Sequence, residues 1–142
     1  MISARLTGRD SLLFVYGTLR AFVDIPMAQW LRRTARYVAP ATTRGRLYDL
    51  GPYPGLRPGR HRSETVVGDV YRVTDPHVFR VLDRYEAGSV RTKARFVRGV
   101  CVVKLARGAR KAAWTYRYCR SVVGAARISS GDYRVHRRTR AR

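Results

Sequence analysis

The sequence predicts an α+β domain built on a curled or closed mixed β-sheet. Three observations carry this expectation. Short apolar runs rich in Val, Tyr and Phe recur along the chain and read as about six strands. Two segments with helical spacing fall between groups of strands rather than alternating with them. Glycine and proline, 12 and 6 residues respectively, punctuate the chain and favour short elements joined by turns.

Met1–Asp10 is polar and is expected to be loose. Leu12–Tyr16 has no polar interruption and reads as the first strand, ending abruptly at Gly17-Thr18. Asp24 precedes Ile25-Pro26, and Met27, Trp30, Leu31 and Thr34 follow at helical spacing, so a short helix is expected over Pro26–Ala35. Tyr37–Ala39 reads as a brief strand and Thr43–Leu50 as another. The segment from Gly51 to Gly59 is too rich in Pro and Gly for a helix and reads as a loop, with at most a short strand near Leu56.

Val66–Val73 is a strand by its valines and Tyr71. Thr74-Asp75-Pro76 is a helix start, and Val78, Leu82 and Tyr85 lie at i, i+4 and i+7, with Gly88 as the stop. Phe96–Leu105 is the longest strand candidate. Ala112–Tyr118, with Trp114, Tyr116 and Tyr118 on one face, is expected to pair with it across the turn at Arg107–Arg110. No repeat or internal linker divides the 142 residues, which read as one domain with its core over about 12–133 and a loose basic tail over 134–142.

Charge is the unusual feature of the composition. Thirty Lys and Arg face nine Asp and Glu, a formal net charge of +21. Such a surface attracts anions over a screened range of about 8 Å. Nonspecific nucleic-acid or anion binding is one reading; a solvated arginine-rich surface is the other, because the arginines are spread along the whole chain. Two cysteines, Cys101 and Cys119, make no disulfide framework, and both are expected to be core thiols. No Cys–His spacing suggests a metal site, no run reaches membrane-spanning length and no signal-peptide pattern is present. The expected compartment is cytoplasmic, without a membrane partner.

Two features bear on chemistry. A strand that stops at Tyr16-Gly17-Thr18-Leu19 leaves turn N–H groups without ladder partners, and such groups can hold a carboxylate or a developing oxyanion. Glu86, one of only two glutamates with Glu64, sits at the end of the second helix, where the dipole disfavours a carboxylate by about 0.3–1 kcal/mol. Read from the residues alone, the turn also suits an ordinary strand exit, and Glu86 a solvated helix end.

These segments form part of a longer series. After Tyr16-Gly17-Thr18-Leu19 come Gly45-Arg46-Leu47-Tyr48, Tyr53-Pro54-Gly55-Leu56 and Val67-Gly68-Asp69-Val70-Tyr71. Leu82-Asp83-Arg84-Tyr85-Glu86, Ala113-Trp114-Thr115-Tyr116 and Ile128-Ser129-Ser130-Gly131-Asp132-Tyr133 follow in order. In order and spacing, roughly from Leu13 to Tyr133, the series resembles the γ-glutamylcyclotransferase-like (AIG2-like) family.

The resemblance implies a small mixed or antiparallel β-barrel flanked by short helices. It implies an enzyme that releases 5-oxoproline and a free amine from a small γ-glutamyl substrate, with Glu86 as general acid/base and neither metal nor cofactor. It also implies that Tyr16, Gly17, Thr18 and Leu19 cradle the glutamyl end, and Tyr116 is a candidate phenol lining the same pocket. A non-catalytic family member, or a basic nucleic-acid-binding module on the same barrel, is the alternative. The chain departs from the family pattern in having Glu86-Ala87-Gly88 for Glu-Gly, and Phe96-Val97-Arg98 where relatives often carry Tyr-x-Arg.

Overall fold

The computed structural model describes residues 11–87 and 95–140. The expected loose N-terminus and the stop at Gly88 lie outside the described residues. Five strands form a closed barrel in the order β1 (Ser11–Val15), β5 (Thr65–Val73), β2 (Arg36–Arg44), β6 (Phe96–Leu105) and β7 (Arg110–Tyr118). The β1–β7 pair is parallel and the other pairs in register are antiparallel, so the barrel is mixed as expected. A smaller sheet runs β4 (Pro54–Arg57), β3 (Arg46–Asp49), β8 (Ala126–Arg127). Helices α1 (Pro26–Thr34), α2 (Pro76–Ala87) and α3 (Tyr133–Arg140) complete the fold. No helix among the described residues is long and apolar enough to cross a membrane.

The uninterrupted apolar run of β1 has a direct cause. Phe14 packs with Val66, Val70, Val103 and Ala113, whereas Leu13 and Val15 pack with Leu31, Tyr71, Val78 and Leu82 on the other face. The strand is therefore buried on both sides, and alternation with polar residues would place a polar group in one core or the other. Each fully buried aliphatic side chain contributes about 1.5–3 kcal/mol of transfer free energy.

Four expectations need correction. The strand expected over Thr43–Leu50 is broken at Gly45, and the brief strand at Tyr37–Ala39 extends to Arg36–Arg44. A Cβ at Gly45 would lie 2.8 Å from Leu56 Cδ1 and 2.9 Å from the Arg57 carbonyl, so only glycine lets the chain leave the barrel here and start the second sheet.

The tail is not loose over its described length: Tyr133–Arg140 is helix α3. Asp132 Oδ1 accepts the N–H of Arg134 at 2.9 Å at its start, Tyr133 is buried, and His136 Nε2 lies 2.8 Å from Asp49 Oδ2. Cys101 is buried in β6, but Cys119 lies just past β7 and is exposed.

Candidate active site

Helix α2 is punctuated as its sequence suggests. Asp75 Oδ1 accepts the His77 N–H at 2.9 Å, satisfying a donor of the first turn before the helix runs on from Pro76. Its buried stripe is Val78, Phe79 and Leu82. The next residue on that stripe, four after Leu82, is Glu86. Tyr85, expected there, is instead 43% exposed. The helix thus aims a carboxylate where its spacing would place an apolar side chain.

Asp83 fixes the rotation of α2. Its carboxylate accepts two hydrogen bonds from Arg98 of β6, at 2.9 and 3.1 Å, and a third from the Tyr116 hydroxyl of β7 at 2.6 Å. Arg98 also stacks over Phe79 and Trp114, each 4.6 Å from the ring centroid. This fork is the physical content of the Leu82-Asp83-x-x-Glu86 segment. Leu82 anchors the helix, Asp83 orients it, and Glu86 is delivered to the barrel mouth.

The turn after β1 forms the opposite wall. The Arg20 N–H donates to the Gly17 carbonyl at 3.1 Å, closing a tight turn over 17–20. Among the described residues, no backbone acceptor takes the N–H of Thr18 or Leu19. Gly17 is required by close packing, since a Cβ there would sit 2.7 Å from Pro54 Cγ. Tyr16 is tied down: its hydroxyl donates to the Tyr116 carbonyl at 2.6 Å and accepts from Leu56 N–H at 3.1 Å.

A cavity of about 240 Å³ lies between these walls. Residues 14–19 line one side, and Glu86 and Tyr85 line another. Tyr53, Pro54, Phe96 and Tyr116 supply mainly apolar surface, and Arg95 is the cation among the described lining residues. All six residues singled out from the sequence, Tyr16, Gly17, Thr18, Leu19, Glu86 and Tyr116, border this one space. The Tyr16 and Tyr116 hydroxyl protons are committed elsewhere in the protein, so both residues present ring surface to the cavity. Tyr53 and Arg95, joined by a hydrogen bond from the guanidinium to the phenol oxygen, were not singled out from the sequence. Tyr53 belongs to the Tyr53-Pro54-Gly55-Leu56 segment, which carries no site role on its own, and nothing in a basic segment marks Arg95.

The electrostatics of the two glutamates diverge. Burial pushes the Glu86 carboxyl up to about 7. Burial also acts on Glu64, but the N–H groups of Arg60 and His61 and the Arg46 side chain outweigh it and hold Glu64 at about 2. Glu64 further pairs with Arg46 at 2.6 Å and Arg127 at 2.8 Å, joining β3 to β8. Glu64 is thus a structural anion, whereas the Glu86 carboxyl is raised by burial.

Arg20, the next residue after Leu19, does not line this cavity. It is buried, 3.2 Å from Asp69 and 2.9 Å from Asp132. The Asp of Val67-Gly68-Asp69 and the Asp of Ser130-Gly131-Asp132 therefore meet at one guanidinium. Among the described residues, no cluster of three His, Cys, Asp or Glu could hold a metal.

Known proteins resemble this chain in sequence and in fold. The family described as gamma-glutamyl cyclotransferase, AIG2-like, matches residues 13–135. The gamma-glutamylcyclotransferase family protein YtfP of Escherichia coli K12 is 31% identical over 121 residues, 85% of this chain and 94% of that protein. YkqA from Bacillus subtilis superposes with a TM-score of 0.71 at 26% identity; the match covers 94% of this chain but only 43% of YkqA. An AIG2-like protein from Mus musculus, at 22% identity and a TM-score of 0.61 over 78% of each chain, shares the fold. The chain belongs to the gamma-glutamyl cyclotransferase, AIG2-like family.

Proposed function

We propose that this protein is a γ-glutamyl cyclotransferase that converts a γ-glutamyl amine or peptide into 5-oxoproline and the free amine. The observation that carries the reading is the position of Glu86, whose carboxyl is raised to about 7 and lines the same cavity as the turn N–H groups of Thr18 and Leu19.

The substrate's α-ammonium must lose a proton before it can attack. Glu86 as carboxylate takes that proton. The neutral nitrogen then forms a bond to the γ-carbonyl carbon, and the carbonyl oxygen gains negative charge. A turn N–H donates to that oxygen, an interaction typically worth about 2.7–4 kcal/mol in the transition state. Collapse breaks the bond from the γ-carbon to the departing nitrogen as protonated Glu86 gives its proton to that nitrogen; the regenerated carboxylate then takes the second proton from the ring nitrogen and passes it to the freed amine, which leaves as the ammonium. The products are the five-membered lactam and an amine, and Glu86 returns to its starting charge. Nucleophile and electrophile belong to one molecule, so the cavity has only to select the folded-back conformer. A carboxyl near 7 suits both steps, because each protonation state is well populated at neutral pH.

The test is incubation with a panel of γ-glutamyl amino acids, amines and isopeptides, with the cyclic product read by mass spectrometry. Glu86→Gln preserves size and should abolish product while leaving the fold intact. Equal 5-oxoproline release by variant and parent would refute the role of Glu86.

A further inference from the structure

A second concavity, of about 690 Å³, lies on the far strands of the barrel and shares no lining residue with the Glu86 cavity. It opens where β2 and β6 part. Their register runs only from Ala41–Leu105 to Thr43–Val103, and beyond it the Thr43 hydroxyl donates to the Val102 carbonyl at 2.8 Å. Five cations line the groove: Arg44, Arg62, Lys104, Arg110 and Arg117. No described lining residue is acidic. Among the described residues, none of the five pairs with a carboxylate, although Arg20, Arg46, Arg98 and Arg127 elsewhere in the fold all do.

One of the five is held in place. Arg117 lies across Gly99, where an added Cβ would be 3.3 Å from its Nη1. Its Nη2 donates to the Val100 carbonyl. The glycine thus gives the guanidinium a bed on β6, and one hydrogen bond fixes it there. Arg117 lines the groove, and among the described residues no carboxylate pairs with it. A fixed guanidinium loses less freedom on binding an anion than a free one does.

We propose that this groove binds a compact, multiply charged phosphate anion. Its volume is that of a small-molecule site. Like charges gathered in a concavity focus the potential on a bound anion, and guanidinium forks match phosphate oxygens. A solvated arginine-rich surface would instead spread its cations evenly and interleave them with acids.

Inorganic tripolyphosphate is the probe, titrated calorimetrically at physiological salt. Arg44→Ser/Arg110→Ser removes two groove charges. Arg33→Ser/Arg80→Ser removes two exposed charges from α1 and α2 and keeps the net charge equal. Thermal melts establish that both double variants remain folded. The parent should bind, the groove variant should bind about tenfold more weakly or worse, and the helix variant should match the parent within about twofold. No binding by the parent, or equal losses in the two variants, would overturn the proposal. A mixed-sequence single-stranded oligonucleotide is the second arm. It should bind more weakly than tripolyphosphate and lose affinity equally in both variants. Tighter, groove-dependent oligonucleotide binding would overturn the small-anion assignment in favour of a nucleic-acid backbone.

Discussion

The Tyr16 hydroxyl donates to the Tyr116 carbonyl oxygen at 2.6 Å, joining the exit of β1 to the last residues of β7. The Tyr16 hydroxyl oxygen in turn accepts the Leu56 N–H at 3.1 Å, so one phenol holds three strands of the two sheets together beside the cavity. Tyr16→Phe keeps the ring and strands one buried donor and one buried acceptor. A loss of about 1–3 kcal/mol is expected in urea unfolding, with the denaturant slope unchanged. A variant as stable as the parent would show that water replaces the hydroxyl at no cost.

Gly17 is expected to tolerate no side chain. Alanine would bring a Cβ within 2.7 Å of Pro54 Cγ and 2.8 Å of its Cδ, and a proline ring cannot swing aside. Gly17→Ala should therefore shift the turn carrying Thr18 and Leu19. The expected cost is about 1–3 kcal/mol of stability, with a rise in KM for any accepted γ-glutamyl substrate. An unchanged KM would mean that the turn does not contact substrate.

The two-aspartate grip of Arg20 gives a third prediction. Arg20→Ala leaves the buried carboxylate of Asp69 facing no cation, and breaking such a pair costs about 3–5 kcal/mol. Asp132, more exposed, should suffer less. The double variant Arg20→Met/Asp69→Leu should recover much of the loss, because it removes the buried charge instead of stranding it. Recovery is read from a double-mutant cycle by denaturant unfolding.

How far the sequence discloses this arrangement depends on the residue. β1 and β6 are legible because burial on both faces of β1, and the density of valines in β6, leave no competing pattern. The break at Gly45 is not, because its cause is an approach by Leu56 and Arg57 from a different strand. Helix α3 was available locally: Gly131-Asp132 is a turn followed by an N-cap, but dense positive charge suggests a solvated end, and the partner Asp49 lies 87 residues away from His136. Glu86 shows the opposite case. Its place at the end of α2 and in the Leu82-Asp83-Arg84-Tyr85-Glu86 segment is the signal, whereas the spacing alone points to Tyr85 for the stripe of Val78, Phe79 and Leu82. Arg20 could not be read, because both of its partners are distant in sequence.

The two glutamates should leave opposite marks on stability against pH. Glu64 holds its proton less tightly when folded, at about 2 against an ordinary 4.5. The unfolded chain therefore binds more protons between those values, and stability falls as pH drops from about 4.5 to about 2. Glu86 is raised from 4.5 to about 7, so the folded state binds more protons in that window and stability falls as pH rises through it. Glu64→Gln should flatten the acid limb. Glu86→Gln should gain on the parent steadily between pH 4.5 and 7 and then level off. A Glu86→Gln difference independent of pH would show that its carboxyl is not shifted.

Asp83 separates positioning from chemistry. It touches Arg98 and Tyr116 rather than lining the cavity with Glu86, yet it sets the rotation of the helix that carries Glu86. If Glu86 is the base, kcat/KM should rise with pH through about 7, as the carboxylate forms. Asp83→Asn keeps an acceptor for one Arg98 contact but loses the charge-assisted fork, so α2 should turn slightly and expose Glu86 to water. Greater hydration lowers a carboxyl raised by burial. The expected signature is a lower kcat together with an acid limb displaced below 7, while KM changes little. A merely structural role would lower the melting temperature without moving that limb. The pH–rate profile, measured on variant and parent at matched folded fraction, therefore distinguishes an orienting residue from a generic strut.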